Sequence, residues 1–122
     1  MQNELTTMST GLFGPYDLTL DIIDKIIQKM SVGTYVLERE YSSDGFTVNY
    51  VGRSDNDLNS RLKNWFGVRG YKRFKYGYLP SPSAAFDHEC AIYHGFSGLD
   101  NENHPQRPIG LTRGCSRCRM LR

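Results

Sequence analysis

Apolar and polar positions along the chain sort into two periods. From Leu18 to Met30 the residues Leu18, Ile22, Ile23, Ile26, Ile27 and Met30 recur at helical spacing, with Asp21, Asp24, Lys25, Gln28 and Lys29 on the other side. This predicts an amphipathic helix over 18–30 docked on a core, with Asp17 or Thr19 able to cap its start. Its polar side is not rich in basic residues, which argues against a helix lying on a membrane surface. Thr34 to Tyr41 and Phe46 to Val51 are rich in β-branched and aromatic residues and flank Asp44-Gly45, a hairpin-turn signal. With a two- or four-residue loop, odd positions of the first strand face even positions of the second. Tyr35, Leu37, Tyr41, Phe46, Val48 and Tyr50 then share an apolar face, and Glu38, Glu40, Thr47 and Asn49 a polar one. On the longer loop Tyr35 and Tyr50 are diagonal neighbours, about 7–8 Å apart. A bulge would upset this register.

The second half alternates the same two periods. Ser54-Asp55-Asn56-Asp57 is a helix-start cluster, and Leu58, Leu62, Trp65 and Phe66 form an apolar stripe that Gly67 can end. Arg61 falls on or beside that stripe. Tyr71 to Leu79 reads as a third strand. Ser81 can cap a further helix with Pro82 at its first position, running to about His94 and stopping at Gly95. Ala85, Phe86, Ile92 and Tyr93 make its inner face, and Glu89 sits in the middle of that face. From Ser97 onward Gly, Asn and Pro predict loop. Residues 1–17, rich in Thr, Ser and Gly, are expected to be loosely ordered.

Composition narrows the class. With 122 residues and 39% hydrophobic residues the chain suits one small domain with a modest core. Net charge is only +2, but it is unevenly spread. No acid lies between Asp57 and Asp87, where Arg61, Lys63, Arg69, Lys72, Arg73 and Lys75 fall, and after Glu102 come Arg107, Arg113, Arg117, Arg119 and Arg122. A basic face for a polyanion is one reading, and a solvated surface is the other. No apolar run is long enough to span a bilayer, and MQNELTTMSTG lacks the pattern of a secretory signal. Three cysteines are too few for a disulfide framework, so the expected compartment is reducing and cytoplasmic.

Two residues break the hydrophobic pattern. Arg61 and Glu89 are each placed toward the interior side of a helix, and an inward carboxylate is costly unless paired or bound to metal. A structural Arg61–Glu89 ion pair is one explanation. The other is an arginine for phosphate and a carboxylate for a divalent cation such as Mg²⁺. Tyr35 and Tyr50 on one face are core tyrosines or phenols that could orient a water.

Gly33-Thr34-Tyr35 followed by Tyr50-Val51-Gly52, then RSDNDLNSRL, a third strand and a helix with an inward Glu, resembles the GIY-YIG nuclease superfamily over residues 32–108. The resemblance implies an α+β, sandwich-like domain with a small three-stranded antiparallel sheet flanked by helices. On that reading residues 18–108 are one nuclease domain, and 109–122 are a basic tail. The implied activity is endonucleolytic hydrolysis of DNA phosphodiester bonds with Mg²⁺ or Mn²⁺. Tyr35, Tyr50, Arg61 and Glu89 match the catalytic set, with Glu89 the metal ligand and Tyr35 beside the attacking water. Gly52 and Asn103 match substrate-site positions. Trp65 stands one turn after the arginine, where many members have His or Tyr; Tyr71, His88 or His104 could carry the proton instead. Lys72, Arg73 and Lys75 are candidate phosphate contacts, while Trp65, Phe66 and Phe74 are expected in the core. A catalytically silent nucleic-acid-binding module on the same fold is the competing function. So small a domain leaves room for a homodimer or a targeting partner.

Cys115-Ser-Arg-Cys118 is a CxxC pair. Zinc normally takes four ligands, so the pair would be half of a site completed by His104, by a second chain or by residues elsewhere. A redox pair or a pair with no ligand are the alternatives. Cys90 is assigned to the core helix.

Overall fold

The stripe after Leu18 folds into helix α1, Leu20–Ile26, whose Thr19 N-cap hydroxyl accepts from Ile22 N at 3.3 Å. It is shorter than predicted: the computed structural model, which describes residues 10–41 and 45–115, ends it before Met30, which is exposed to solvent. Leu18, Ile23 and Ile27 are buried in the core as the stripe predicts. The hairpin forms strands β2, Gly33–Tyr41, and β3, Gly45–Ser54. Helix α2, Leu58–Lys63, is capped by Asp57, whose carboxylate accepts from Ser60 N at 3.3 Å. Strand β4 is Arg73–Tyr78. Helix α3, Pro82–Gly95, has the predicted Ser81 cap, which accepts from Ala84 N at 3.1 Å.

Among the described residues the sheet has four strands rather than three. Phe13–Asp17, within the segment expected to be loose, is strand β1 and pairs antiparallel with β4. The rest of that segment, residues 1–9, lies outside the described residues. Strand β1 covers the outer edge of β4, whose backbone would otherwise be bare. Its rings pack on those of β4, Phe13 on Tyr76 at 5.9 Å and Tyr16 on Phe74 at 5.7 Å between centroids. A five-residue strand with mostly exposed side chains carries almost no alternation for a sequence reading to detect. The order is β1-β4-β2-β3, antiparallel throughout, in an α+β fold with three helices among the described residues.

The hairpin register matches expectation beside the tyrosines and departs from it toward the turn. Tyr35 pairs with Gly52 and Leu37 with Tyr50, so the two tyrosines are diagonal neighbours. The ladder then shifts between Leu37 and Glu38, and Glu38 pairs with Val48. Asn49 is the extra residue, a bulge that turns Val48 to the opposite face. Val48 packs with Val36, Val51 and Ile92 instead of with Tyr35 and Tyr50. The Asn49 side chain fills the gap, its Oδ1 accepting from Arg39 N at 3.0 Å and from the Thr47 hydroxyl at 2.9 Å. The rest of the predicted turn, residues 42–44, lies outside the described residues.

Each face of the sheet has its own core. Tyr35, Leu37 and Phe74 meet Ile23 and Ile27 at the end of α1 and Leu58 and Leu62 of α2. On the other face Val36 and Val51 meet Ile92 of α3. Gly33 lets α2 approach: a Cβ there would lie 2.7 Å from both the Leu58 side chain and the Gly77 carbonyl.

Candidate functional site

As the outermost strand, β3 has a free edge, and the loop after α3 covers part of it. The Asn101 amide binds both backbone groups of Val51, accepting from its N–H at 3.1 Å and donating to its carbonyl at 2.8 Å. Next to it, the Asp100 carboxylate accepts from Arg39 at 2.8 and 3.3 Å and from the Tyr71 hydroxyl at 2.6 Å. Between this loop, β3 and α2 runs a cleft of about 840 Å³. Tyr35, Tyr50, Gly52, Arg61, Glu89 and Asn103 all line it, so the matched positions converge on one space. Sequence reading did not single out Asn101 or Asp100, because nothing in a loop's composition says which amide meets a strand edge.

The two tyrosines are not equivalent. Tyr35 is 1% exposed, and its hydroxyl accepts from the Trp65 indole N–H at 2.8 Å. Burial pushes its pKa well above the ordinary phenol value. Tyr50 is half-buried, its ring 4.6 Å from Trp65 and 6.5 Å from Tyr35 between centroids. Its hydroxyl makes no hydrogen bond among the described residues. Burial and the Glu89 charge raise its pKa, and Arg61 lowers it. Gly52 serves Tyr35 directly, because a Cβ there would overlap the Tyr35 hydroxyl and ring. The glycine of the second word is the space for the tyrosine of the first.

Arg61 is exposed at the cleft rather than turned inward. In the short helix α2, Leu58 and Leu62 take the buried positions, which leaves Arg61 at the margin of the stripe. It donates to the Arg53 carbonyl at 3.3 Å and has no carboxylate partner among the described residues. Glu89 is inward, 7% exposed, but its partner is Arg53 (Nη1 to Oε1, 2.7 Å), not Arg61. The same Arg53 also grips Asp55 at 2.6 and 3.3 Å. Burial raises the Glu89 pKa to about 7, against the lowering by its Arg53 hydrogen bond. Its Oε2 accepts no hydrogen bond among the described residues. One desolvated carboxylate with an uncommitted oxygen at the wall of a cleft fits a divalent cation that keeps most of its waters. Arg53 was missed at the sequence level, although it shares a strand face with Val51, the face α3 covers.

Lys72, Arg73 and Lys75 do not line the cleft. Arg73 and Lys75 reach the buried Glu38 carboxylate at 2.7 and 3.7 Å, on the sheet face away from the tyrosines. The Arg73 guanidinium also sits 3.6 Å over the Phe46 ring. Lys72 is exposed outside the cleft. Among the candidate proton carriers, Tyr71 is held by Asp100 with its pKa raised to about 12, chiefly by burial. His88 meets the Thr10 carbonyl at 2.6 Å, outside the cleft, and His104 lines it.

Cys90, His104 and Cys115 form a second group, their ligand atoms all within 4.8 Å of one another. Both thiols are buried, and the set can hold a metal ion, with donors that suit zinc. Cys118 lies outside the described residues. Cys90 is therefore both a core residue of α3 and a candidate ligand. Among the described residues no helix is long and apolar enough to cross a membrane. Comparisons of the chain with protein-family models, with curated proteins and with solved structures found no match.

Proposed function

We propose that this chain is a divalent-metal-dependent endonuclease acting on DNA, with the GIY-YIG-like set Tyr35, Tyr50, Arg61 and Glu89 as its working groups. One observation carries the reading. Tyr50, Arg61 and Glu89 line one cleft, and among the described residues the Tyr50 hydroxyl, the Arg61 guanidinium and Glu89 Oε2 have no side-chain hydrogen-bond partner. An exposed cation, a phenol and a carboxylate with one uncommitted oxygen together suit a phosphodiester and its attacking water.

Glu89 is the residue to hold Mg²⁺ or Mn²⁺, which when bound stabilises charge on the phosphoryl and leaving oxygens. Arg61 donates to the phosphoryl oxygens, where a preorganised guanidinium stabilises developing charge. Tyr50 offers its hydroxyl to the water. Tyr35 is a positioning residue, because burial keeps its phenol protonated at neutral pH, against the lowering by its Trp65 hydrogen bond. Asn103, exposed at the rim, and Arg107 add polar and cationic contacts for the strand. Zinc, on this reading, belongs to the cysteines and not to the phosphodiester.

The second reading, a silent nucleic-acid-binding module, is favoured by the Arg53–Glu89 ion pair, which engages one of the two carboxylate oxygens. A cleavage panel separates the two: plasmid, single-stranded and branched DNA, with Mg²⁺ or EDTA, wild type beside Glu89→Ala. The nuclease reading expects cleavage that EDTA and Glu89→Ala both abolish. Binding without cleavage points to the silent module, and absence of both overturns each reading.

A further inference from the structure

A separate group of side chains meets where α3 touches the C-terminal loop. We propose that Cys90, His104 and Cys115 hold one structural zinc ion that ties this loop to α3 and thereby sets the outer wall of the cleft. The inference goes beyond the nuclease reading and does not depend on it.

Geometry is the first support. Zinc–sulfur and zinc–nitrogen bonds of about 2.3 and 2.0–2.1 Å put tetrahedral ligand atoms roughly 3.3–3.8 Å apart. The three atoms already lie within 4.8 Å of one another, so a contraction of about 1 Å brings them onto one ion. The surroundings agree. Cys90 and Cys115 are buried with Phe86, and Leu111 packs against them, an apolar shell suited to a closed site.

His104 is oriented for the task. Its Nδ1 sits 2.8 Å from the Pro105 carbonyl, which can only accept, so Nδ1 carries the proton and Nε2 is left with its lone pair. That Nε2 lies 3.2 Å from Nε2 of His94, about the separation of two nitrogens on one tetrahedral zinc. His94 follows Cys90 by one helical turn, on the same face of α3. It is one candidate for the fourth corner. Cys118, at zinc-knuckle spacing from Cys115 in the sequence, is the other.

The consequence reaches the cleft through the backbone. His104 is three residues from Asn101, whose amide clamps Val51 on the edge of β3. Anchoring His104 to α3 holds that stretch of loop at both ends.

The full chain, purified without chelator, is expected to carry one zinc by mass spectrometry, and Cys90→Ser and Cys115→Ser are each expected to lose it. A zinc-selective chelator should lower the melting temperature and speed amide exchange at Val51 by about tenfold, with zinc but not Mg²⁺ restoring both. Cobalt titrated into chelated wild type should give the visible bands of a tetrahedral thiolate site, a readout independent of whether the variants fold. Loss of zinc in His94→Ala or in Cys118→Ser supports the site and assigns its fourth corner. A wild type that takes up neither zinc nor cobalt, zinc retained by both cysteine variants, or zinc retained by both His94→Ala and Cys118→Ser overturns the proposal.

Discussion

Glu89 is buried beside a guanidinium that already serves Asp55, so its charge is only partly compensated. Its pKa rises from 4.5 to about 7 on folding. The folded protein therefore binds more protons than the unfolded chain between those values. This contribution to stability is fully present below about pH 4.5 and is lost as pH rises through about 7. The loss is on the order of 3 kcal/mol. Glu89→Gln, which mimics the protonated form, should gain several degrees in melting temperature relative to metal-free wild type between pH 4 and pH 8. A difference that does not change with pH would contradict the burial argument. A divalent cation should narrow the gap at pH 8 by stabilising the charged carboxylate. Gly52→Ala tests the two words at the same scale. The added Cβ overlaps the buried Tyr35 ring, and a loss of about 1–3 kcal/mol in denaturant unfolding is expected.

At the scale of elements, helix α3 was legible because its start and stop are chemical: Ser81 accepts from Ala84 N, Pro82 needs no donor, and Gly95 ends the run. The hairpin was legible only beside Tyr35 and Tyr50. Parity can count residues through a turn, but it cannot see that Asn49 leaves the ladder because its own amide replaces the missing bonds. Strand β1 was illegible for a different reason: its pairing partner β4 lies about sixty residues away, and its own side chains are mostly exposed. Deleting Asn49 tests the bulge. Without it Val48 would directly precede Tyr50, so Glu38–Val48 and Leu37–Tyr50 stay opposite each other on their own faces, and circular dichroism should still show cooperative unfolding, at a melting temperature lowered by the loss of the Asn49 bonds to Arg39 N and the Thr47 hydroxyl. A variant as stable as wild type would mean that the bulge is dispensable.

Across the whole molecule, charge and topology decide which cations meet a polyanion. The run from Arg61 to Lys75 looked like one basic patch, yet the fold divides it. Arg61 reaches the cleft, while Arg73 and Lys75 turn to Glu38 behind the sheet. Strand parity put Tyr35 and Tyr50 on one face, and the family resemblance implied that Arg61 and Glu89 meet them. Neither showed Arg53 between Asp55 and Glu89, because that contact joins a strand to a helix packed on it from a distant part of the chain. Arg61→Ala should therefore weaken DNA binding and reduce the slope of log K against log salt by about 0.9. Lys72→Ala should leave that slope unchanged in the same titration.

The most direct test of the central claim is Mg²⁺-dependent cleavage of DNA by the wild-type chain beside Glu89→Gln, both first shown to be folded by their melting curves. Cleavage by the wild type that vanishes in EDTA and in the variant is the predicted result. Equal cleavage by both proteins, or none by a folded, DNA-binding wild type supplied with Mg²⁺ or Mn²⁺, would contradict it.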